Sequence, residues 1–505
     1  MSIEVLNLPS VEAVDPGPER APGYHIMTWG CQMNEEDSEQ MSLYLEGMGY
    51  RAVATAAEAE VVLLNTCSVR AKPEEKVWSE LGHLKELKRD RPDMVIGICG
   101  CMAQVESAAI KRRAPFVDMV VGTGSIASLP ALIRQAKGED TAEATADRQA
   151  QREYRNLIPL TLLPAKSQPH NTTLTALDLP ERRGAIVSDV PLRVVERKPK
   201  LKAHVPIMYG CDKFCTFCIV PLTRGRERSR PTQEILAEIE GLARGGTREV
   251  TLLGQTVNSY GKNMPEGRVP FCDLLTDIDA IRGIQRIRFT SPYPRDFTDD
   301  LIDAIGRLPA VCEHVHLPLQ VADDALLADM HRGYTVARYR EIVAKLRERV
   351  PGISITTDIM LGYPGETDAQ YENTMQFVRD TRFDSAFMFA YSPRPNTKAA
   401  VLENQVPHAV KIARLSALIA LQNGITVEIN RSQIGQTFEI LVEGRSQRDP
   451  SRLTGYTRTL KTVNFTVPAG GTRSAESLVG KLVPVRVTEA QLTGFTGELA
   501  EVTPL

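Results

Sequence analysis

The run Tyr209-Gly210-Cys211-Asp212-Lys213-Phe214-Cys215-Thr216-Phe217-Cys218 carries three cysteines separated by three residues and then by two. An iron-sulfur cube is ordinarily held by four thiolates, so three close cysteines with no fourth nearby point to a [4Fe-4S] cluster that keeps one iron open. An open coordination position separates a catalytic metal from a closed structural one, because only the former can take a substrate. The spacing differs from the paired C-x-x-C of a zinc ribbon and from the repeated run of a bacterial ferredoxin. A zinc knuckle or three unrelated thiols are the plainer alternatives. Phe214 and Phe217 alternate with the ligand positions and are expected to shield the cluster from water, one lever on its potential.

Outward from this run, six apolar segments at 204–209, 249–253, 286–290, 314–317, 353–359 and 385–390 alternate with helical patterns such as 233–244, 336–350 and 369–380. Strand-helix alternation over 201–431 predicts a partial or full (β/α) barrel, whose chemistry sits on the loops that follow the strands. The cysteine run follows the first strand. Polar residues at the other strand ends are candidate cofactor contacts: Gln255, Asn258, Ser291, Gln320, Asp358 and Tyr391. Each of them serves equally well to cap a helix. Gly362-Tyr363-Pro364-Gly365-Glu366 suits a tight turn with close backbone approach to a ligand. Arg224, Arg226, Arg228 and Arg230, spaced by two, are candidates for an anionic partner or form a solvated strand face.

Residues 24–137 show the same alternation on a smaller scale, with apolar runs at 24–29, 61–65, 94–98 and 119–122. They predict a flavodoxin-like α/β domain with a parallel sheet. Cys31, Cys67 and Cys101 each come just after one of these runs. Ligands collect at the carboxyl ends of parallel strands, so three cysteines distant in sequence can converge there on a second cluster; the alternative is three packed thiols. Residues 138–200 are polar and irregular and read as a linker, and 1–23 as an N-terminal extension. Residues 432–500 predict a small all-β barrel of five short strands. Arg431, Arg445, Arg448, Arg452, Arg458 and Lys461, with Tyr456 and Phe465 nearby, give that barrel a candidate nucleic-acid face; the alternative is a solvated β surface.

The chain has 505 residues, enough for about three domains. A net charge of −3 excludes a global basic field, so any nucleic-acid surface must be local. Residues 1–23 contain acids and prolines without a long apolar core, which does not read as a signal peptide, and no window reads as membrane-spanning. A cytoplasmic location follows. There nine cysteines are better explained as metal or cluster ligands than as a disulfide framework.

Cys211 to Cys218 resembles the signature of the radical S-adenosylmethionine (SAM) enzymes, and Ile219-Val220-Pro221-Leu222-Thr223-Arg224-Gly225 is similar to their methylthiotransferase branch. The contexts of Cys31, Cys67 and Cys101 resemble that branch's auxiliary-cluster domain, and the C-terminal barrel resembles a TRAM RNA-binding module. Within the branch, Phe387 to Thr397 and Met330-His331-Arg332-Gly333-Tyr334-Thr335 resemble the tRNA enzymes that act on isopentenylated adenosine beside the anticodon. Relatives act on threonylcarbamoyl-adenosine of tRNA or on a ribosomal protein, and an RNA-binding iron-sulfur sensor without turnover is the non-enzymatic alternative. The resemblance implies two [4Fe-4S] clusters, on Cys211, Cys215, Cys218 and on Cys31, Cys67, Cys101, with SAM bound at the open iron of the first. It implies a 5′-deoxyadenosyl radical that takes hydrogen from the base, and a sulfur atom held at the second cluster and methylated by another SAM. It further implies a monomer that meets tRNA bearing isopentenylated adenosine and draws electrons from a low-potential donor such as flavodoxin or ferredoxin, with no membrane partner. Cys101 is the position that matches the auxiliary motif, and neighbouring Cys99 is the alternative ligand. Cys272 and Cys312 match no ligand position and read as packed thiols.

Overall fold

Strand β3 (Val61–Thr66) reads Val-Val-Leu-Leu-Asn-Thr and is buried along its whole length, as expected of a central parallel strand covered on both faces. It belongs to a six-stranded sheet with β1 (Gly23–Trp29), β2 (Arg51–Ala52), β4 (Val95–Gly100), β5 (Met119–Val121) and β6 (Leu174–Ala176). The order is β2-β1-β3-β4-β5-β6 and every pairing is parallel. This is the doubly wound order of flavodoxin with one strand added at the edge. Met41 and Leu45 of α1 (Gln32–Gly47) and Leu129 and Ile133 of α4 (Leu129–Ala136) cover one face. Val77 and Leu81 of α2 (Ala71–Asp90) and Met102 and Ile110 of α3 (Cys101–Arg113) cover the other. Each such side chain contributes about 1.5–3 kcal/mol by leaving water.

The computed structural model describes residues 21–68, 71–139, 173–177, 191, 193–194, 196–264, 267–467 and 474–500. They fall into two compact units, residues 1–179 with 191–194 and residues 180–190 with 195–505. Most of the N-terminal extension and of the 138–200 linker lies outside the described residues. Where the linker is described, residues 174–176 form a strand and the remainder forms no helix or strand. Leu174–Ala176 pairs with Met119–Val121 as β6, and Arg193 forms a buried ion pair with Glu36 at 2.7 Å while Val194 and Gln40 exchange two hydrogen bonds. A strand of three residues carries too short a period-2 pattern to be read from sequence; the sheet edge makes it a strand.

The second unit begins with β7 (Lys202–Pro206) and β8 (Met208–Tyr209), which split the single strand expected at 204–209. β8 pairs antiparallel with β9 (Arg228–Ser229) and so turns the chain away from the main sheet. β10 (Glu249–Leu253) and β11 (Arg286–Phe289) join β7, while β12 (His314–His316), β13 (Ser354–Leu361) and β14 (Ser385–Ala390) form a second parallel sheet. A parallel bridge from Ile287 to Val311 links the two. Among the described residues β14 does not pair with β7, so the barrel is partial. Helices α5 (Val220–Thr223), α6 (Thr232–Arg244), α7 (Phe271–Asp279), α8 (Asp299–Arg307), α9 (Asp324–Asp329), α10 (Val336–Arg349), α11 (Asp368–Thr381) and α12 (His408–Arg431) separate and flank these strands.

Helix α12, at 24 residues, is long and apolar enough to cross a bilayer, contrary to the expectation that no window is. Its own polar groups tie it to the domain instead: Gln422 donates to Phe383 O at 2.8 Å, Thr426 to Asp384 O at 2.9 Å, and Arg414 pairs with Glu366 at 2.6 Å. These bonds fasten α12 to the loops that follow β13 and precede β14.

Strands β15 (Thr437–Arg445), β16 (Leu453–Tyr456), β17 (Thr462–Thr466), β18 (Leu482–Gln491) and β19 (Gly494–Leu499) close into a barrel in the order β15-β16-β17-β19-β18, and α13 (Ala475–Leu478) precedes β18. Its interior holds Ile440, Val463, Phe465, Val485 and Phe495. Phe465 is therefore core and not a stacking surface. The loop between β16 and β17 meets the amino-terminal ends of the partial-barrel strands. Arg286 donates to the carbonyls of Tyr456 and Glu439 at 2.7 and 2.8 Å, and Arg288 to those of Arg458 and Thr457 at 2.7 and 2.9 Å. In return Arg458 grips Glu313 with both arms at 2.7 and 2.8 Å, and Lys461 pairs with Asp384 at 3.0 Å. Two of the six basic residues expected on a nucleic-acid face are thus spent on docking against the partly buried carboxylates of Glu313 and Asp384.

Arg288 also pairs with Glu249 at 3.1 Å, with both side chains buried. Arg288→Ala would strand that carboxylate and two carbonyls, and should cost about 3–5 kcal/mol. Denaturant unfolding measures the loss, and limited proteolysis should release the C-terminal barrel from the variant sooner than from the parent.

Candidate metal centres

In the N-terminal sheet the strand order reverses between β1 and β3, where doubly wound folds bind their ligands. Trp29 is in register with Thr66 and Thr66 with Gly100, so β1, β3 and β4 end side by side. Cys31, Cys67 and Cys101 follow these ends at once. Cys31 caps α1 and its thiol donates to Asn34 Oδ1 at 3.4 Å. Asn34 in turn donates to Asn65 Oδ1 at 3.2 Å, and Asn65 donates to Asn34 O at 2.7 Å and to Ser38 Oγ at 2.9 Å. Asn34 and Asn65 are fully buried, so the cysteine-bearing turns of β1 and β3 are locked to each other by satisfied carboxamides. Gly100 holds φ +90 with Asn65 Oδ1 only 2.4 Å from where a Cβ would sit, which leaves no room for a side chain before Cys101.

Cys99 sits inside β4 opposite Asn65 and packs with Leu63, Val95, Met119 and Val121. Burial pushes its thiol up to about 12. It packs in the apolar core inside the strand, whereas Cys101 opens α3 at the strand end, which favours Cys101 as the candidate.

At the other site Cys211 and Cys215 are buried and Cys218 is partly covered. Burial, with a smaller contribution from the neighbouring thiols of the trio, raises Cys211 and Cys218 to about 12, and that contribution requires them to lie close together. No disulfide joins any of the nine cysteines. Among the described residues no three His, Cys, Asp or Glu side chains close on one point as a lone ion needs. A cube takes its thiolates at separate corners, wider apart than the ligands of a single ion.

The loop bearing the trio is held from every side. Asp212 receives a two-armed ion pair from Arg226 at 2.7 and 3.1 Å; Lys213 pairs with Asp296 at 2.7 Å. Thr216 donates to Asp329 O at 3.0 Å and shares a hydrogen bond with Tyr363 Oη at 2.8 Å, while its carbonyl accepts from Ala399 N at 2.9 Å. Gly210, at φ +74, lies against Arg226 O, which is 2.0 Å from its Cβ position. Only glycine fits this approach. Arg332 donates from Nη1 to Cys215 Sγ at 3.4 Å. Phe217 packs on the core, but Phe214 is 38% exposed at φ +50, so only one of the two expected shields is in place. The four alternating arginines are no solvated face: Arg224, Arg228 and Arg230 are buried, and Arg230 pairs with Glu238 at 2.8 Å.

The sequence-derived contacts separate by what they already hold. Tyr391 is 4% exposed and its hydroxyl has no partner, and the buried Gln255 Oε1 is likewise unsatisfied. Two orphaned polar atoms after β14 and β10 fit a polar ligand such as SAM at the strand ends. Ser291, just before Pro292, and Gln320 have φ of +55 and +71, a strain that clusters at binding sites. Asp358 lies on β13 with His316 Nε2 at 3.4 Å. Asn258 is already engaged, donating to Tyr293 O at 3.0 Å and accepting from Tyr293 N at 2.7 Å, so it holds the loop that follows β11. Sequence reasoning missed Arg332, Tyr363 and Glu227. Only the Met330 to Thr335 and Gly362 to Glu366 stretches marked the first two, without roles.

The family models that match are an uncharacterised protein family, UPF0004, over residues 23–122, the radical SAM superfamily over 205–378 and the TRAM domain over 431–500. A tRNA-2-methylthio-N(6)-dimethylallyladenosine synthase of Moorella thermoacetica is 43% identical over 480 residues, covering 95% of this chain and 98% of its own. The chain belongs to that family. The Carboxydothermus hydrogenoformans protein of the same name is 43% identical over 94% of this chain and 99% of its own. Among solved structures, the radical SAM methyltransferase TsrM of Kitasatospora setae, with tryptophan and a SAM analogue bound, shares the fold at a TM-score of 0.50 and 16% identity, covering 75% of each chain.

Glu227 is buried beside the cysteine run and accepts from Thr256 Oγ1 at 3.1 Å. Burial raises its pKa from 4.5 to about 7. A folded value above the unfolded one stabilises the fold fully below about 4.5 and loses that contribution as pH rises through about 7. Glu227→Gln should therefore be more stable than the parent at pH 8 by up to about 3 kcal/mol and lose the advantage towards pH 5, as read from denaturant midpoints across that range.

Proposed function

We propose that this chain inserts a methylthio group at carbon 2 of N6-dimethylallyladenosine next to the anticodon of tRNA, consuming two SAM per product through a 5′-deoxyadenosyl radical. The observation that carries the reading is the second cysteine trio. A radical enzyme that only abstracts hydrogen has no use for Cys31, Cys67 and Cys101 at the switch point of a separate sheet, whereas sulfur insertion needs a place to keep sulfur. An aromatic C–H bond offers no acidic proton or leaving group, so a cofactor must supply the reactivity. When bound, the cluster on Cys211, Cys215 and Cys218 supplies the electron that cleaves SAM, and the cluster on Cys31, Cys67 and Cys101 supplies an open iron for sulfur.

The protein's own part is positioning. Arg226 and Lys213, with their acid partners, keep the Cys211 loop from collapsing, and Tyr363 anchors it to the loop after β13 through Thr216. Tyr391 Oη and Gln255 Oε1, which no protein group satisfies, would give SAM polar contacts, with Asp358, Ser291 and Gln320 on adjoining strand ends and Asn258 orienting the loop between them. The Asn34–Asn65 pair sets the angle of Cys31. The C-terminal barrel holds tRNA, a low-potential donor such as flavodoxin or ferredoxin delivers electrons, and the protein works as a monomer in the cytoplasm. The names of the 43% identical relatives favour the dimethylallyl substrate over threonylcarbamoyl-adenosine, a ribosomal protein or a non-catalytic sensor.

Anaerobically reconstituted parent protein should hold about eight irons, and each triple cysteine-to-alanine variant about four, by iron and sulfide analysis. Cys99→Ala should keep the parent's content. Nucleosides from a deletion strain should lack 2-methylthio-N6-dimethylallyladenosine by mass spectrometry; an unchanged level would exclude the substrate proposed.

A further inference from the structure

Arg332 belongs to the Met330–Thr335 stretch and has no part in the function described so far. It is 7% exposed, and no carboxylate among the described residues pairs with it. Its partners are Cys215 Sγ, Tyr334 Oη at 3.1 Å and Pro318 O at 3.3 Å, and its guanidinium lies 4.9 and 5.3 Å from the ring centres of Tyr293 and Tyr334. A buried guanidinium is otherwise matched by an acid, as Arg288 is by Glu249 and Arg230 by Glu238. Here the counter-charge must come from the thiolate side. Lys213 and Arg226, two other cations close to the trio, are already neutralised by Asp296 and Asp212.

The cation is also immobile. Tyr334 accepts from Arg332 Nε and donates to Leu319 O at 2.7 Å, Tyr293 Oη donates to the Arg332 carbonyl, and the two tyrosine rings meet edge to face at 5.8 Å. A positive charge that cannot move away and is screened little by water favours whichever state of its neighbour is more negative. One-electron reduction adds one negative charge to a thiolate-held cluster. Hydrogen bonds and charges at the sulfurs are among the levers that set cluster potentials.

We propose that Arg332 is a positioning residue that acts through the sulfur of Cys215 to make the cluster of the Cys211 run easier to reduce by one electron. This rests on the cluster assignment above, and the test reads the two separately. The full chain, anaerobically reconstituted, is titrated with dithionite, a one-electron donor, and followed by electron paramagnetic resonance with SAM added to mark the cluster that binds it. Arg332→Gln should keep the parent's iron content, yet at a fixed potential its ratio of reduced to oxidised SAM-binding cluster should fall at least tenfold, a midpoint about 59 mV lower. Arg332→Lys, which keeps the charge, should recover part of the shift, and Tyr334→Phe, which frees the guanidinium, should show a smaller shift of the same sign. An unmoved midpoint in an Arg332→Gln protein with full iron would overturn the proposal. So would loss of half the iron in both the Gln and the Lys variants, since Arg332 would then build the site and not tune it. A parent that binds no cluster on the Cys211 trio would instead overturn the cluster assignment.

Discussion

Burial and the neighbouring thiols make Cys211 and Cys218 harder to ionise, yet a cluster on this run needs them as thiolates. The rest of the second unit can be read as the apparatus that resolves this conflict. A short β8–β9 ladder lifts the chain off the main sheet, glycine at 210 lets it pass against the Arg226 carbonyl, and loops from β11, β12, β13 and β14 reach over to hold the run between Asp212 and Thr216. One uncompensated guanidinium faces the sulfurs. Without these contacts the trio has no reason to stay assembled before iron arrives.

The N-terminal unit solves the same problem by topology. Its three cysteines are far apart in sequence, but the reversal of strand order between β1 and β3 and the matched ends of β1, β3 and β4 bring their positions to one edge. There the polar work falls to carboxamides. Asn34 and Asn65 satisfy each other and the turn around Cys31, so no charge is needed at that edge to orient the thiols.

At the opposite end of the strands, the β16–β17 loop of the C-terminal barrel sits against Arg286, Arg288, Glu313 and Asp384. Arg286 and Arg288 keep Glu249 beside them in any case, but without the small barrel they would lose the carbonyls they reach, and Glu313 and Asp384 would each lose a cation. The barrel therefore serves as a structural base for the partial barrel, and the two share one compact unit.

The sequence by itself determined the fold class, the two cysteine trios, the strand-end location of the chemistry and most strand positions, because hydrophobic period, cysteine spacing and turn residues are local signals. Even Cys99 against Cys101 stayed open there, since two cysteines separated by one glycine look alike until one lies inside a strand and the other opens a helix. Only the tertiary structure decided that Cys99 faces the core, that Lys461 and Phe465 are buried and Arg458 is taken up by Glu313, that a three-residue edge strand exists, and that Arg332 meets a thiol instead of an acid. A charged residue reads the same in sequence whether it meets water, a phosphate or a buried carboxylate. Its partner, often more than a hundred residues away, is chosen by packing alone.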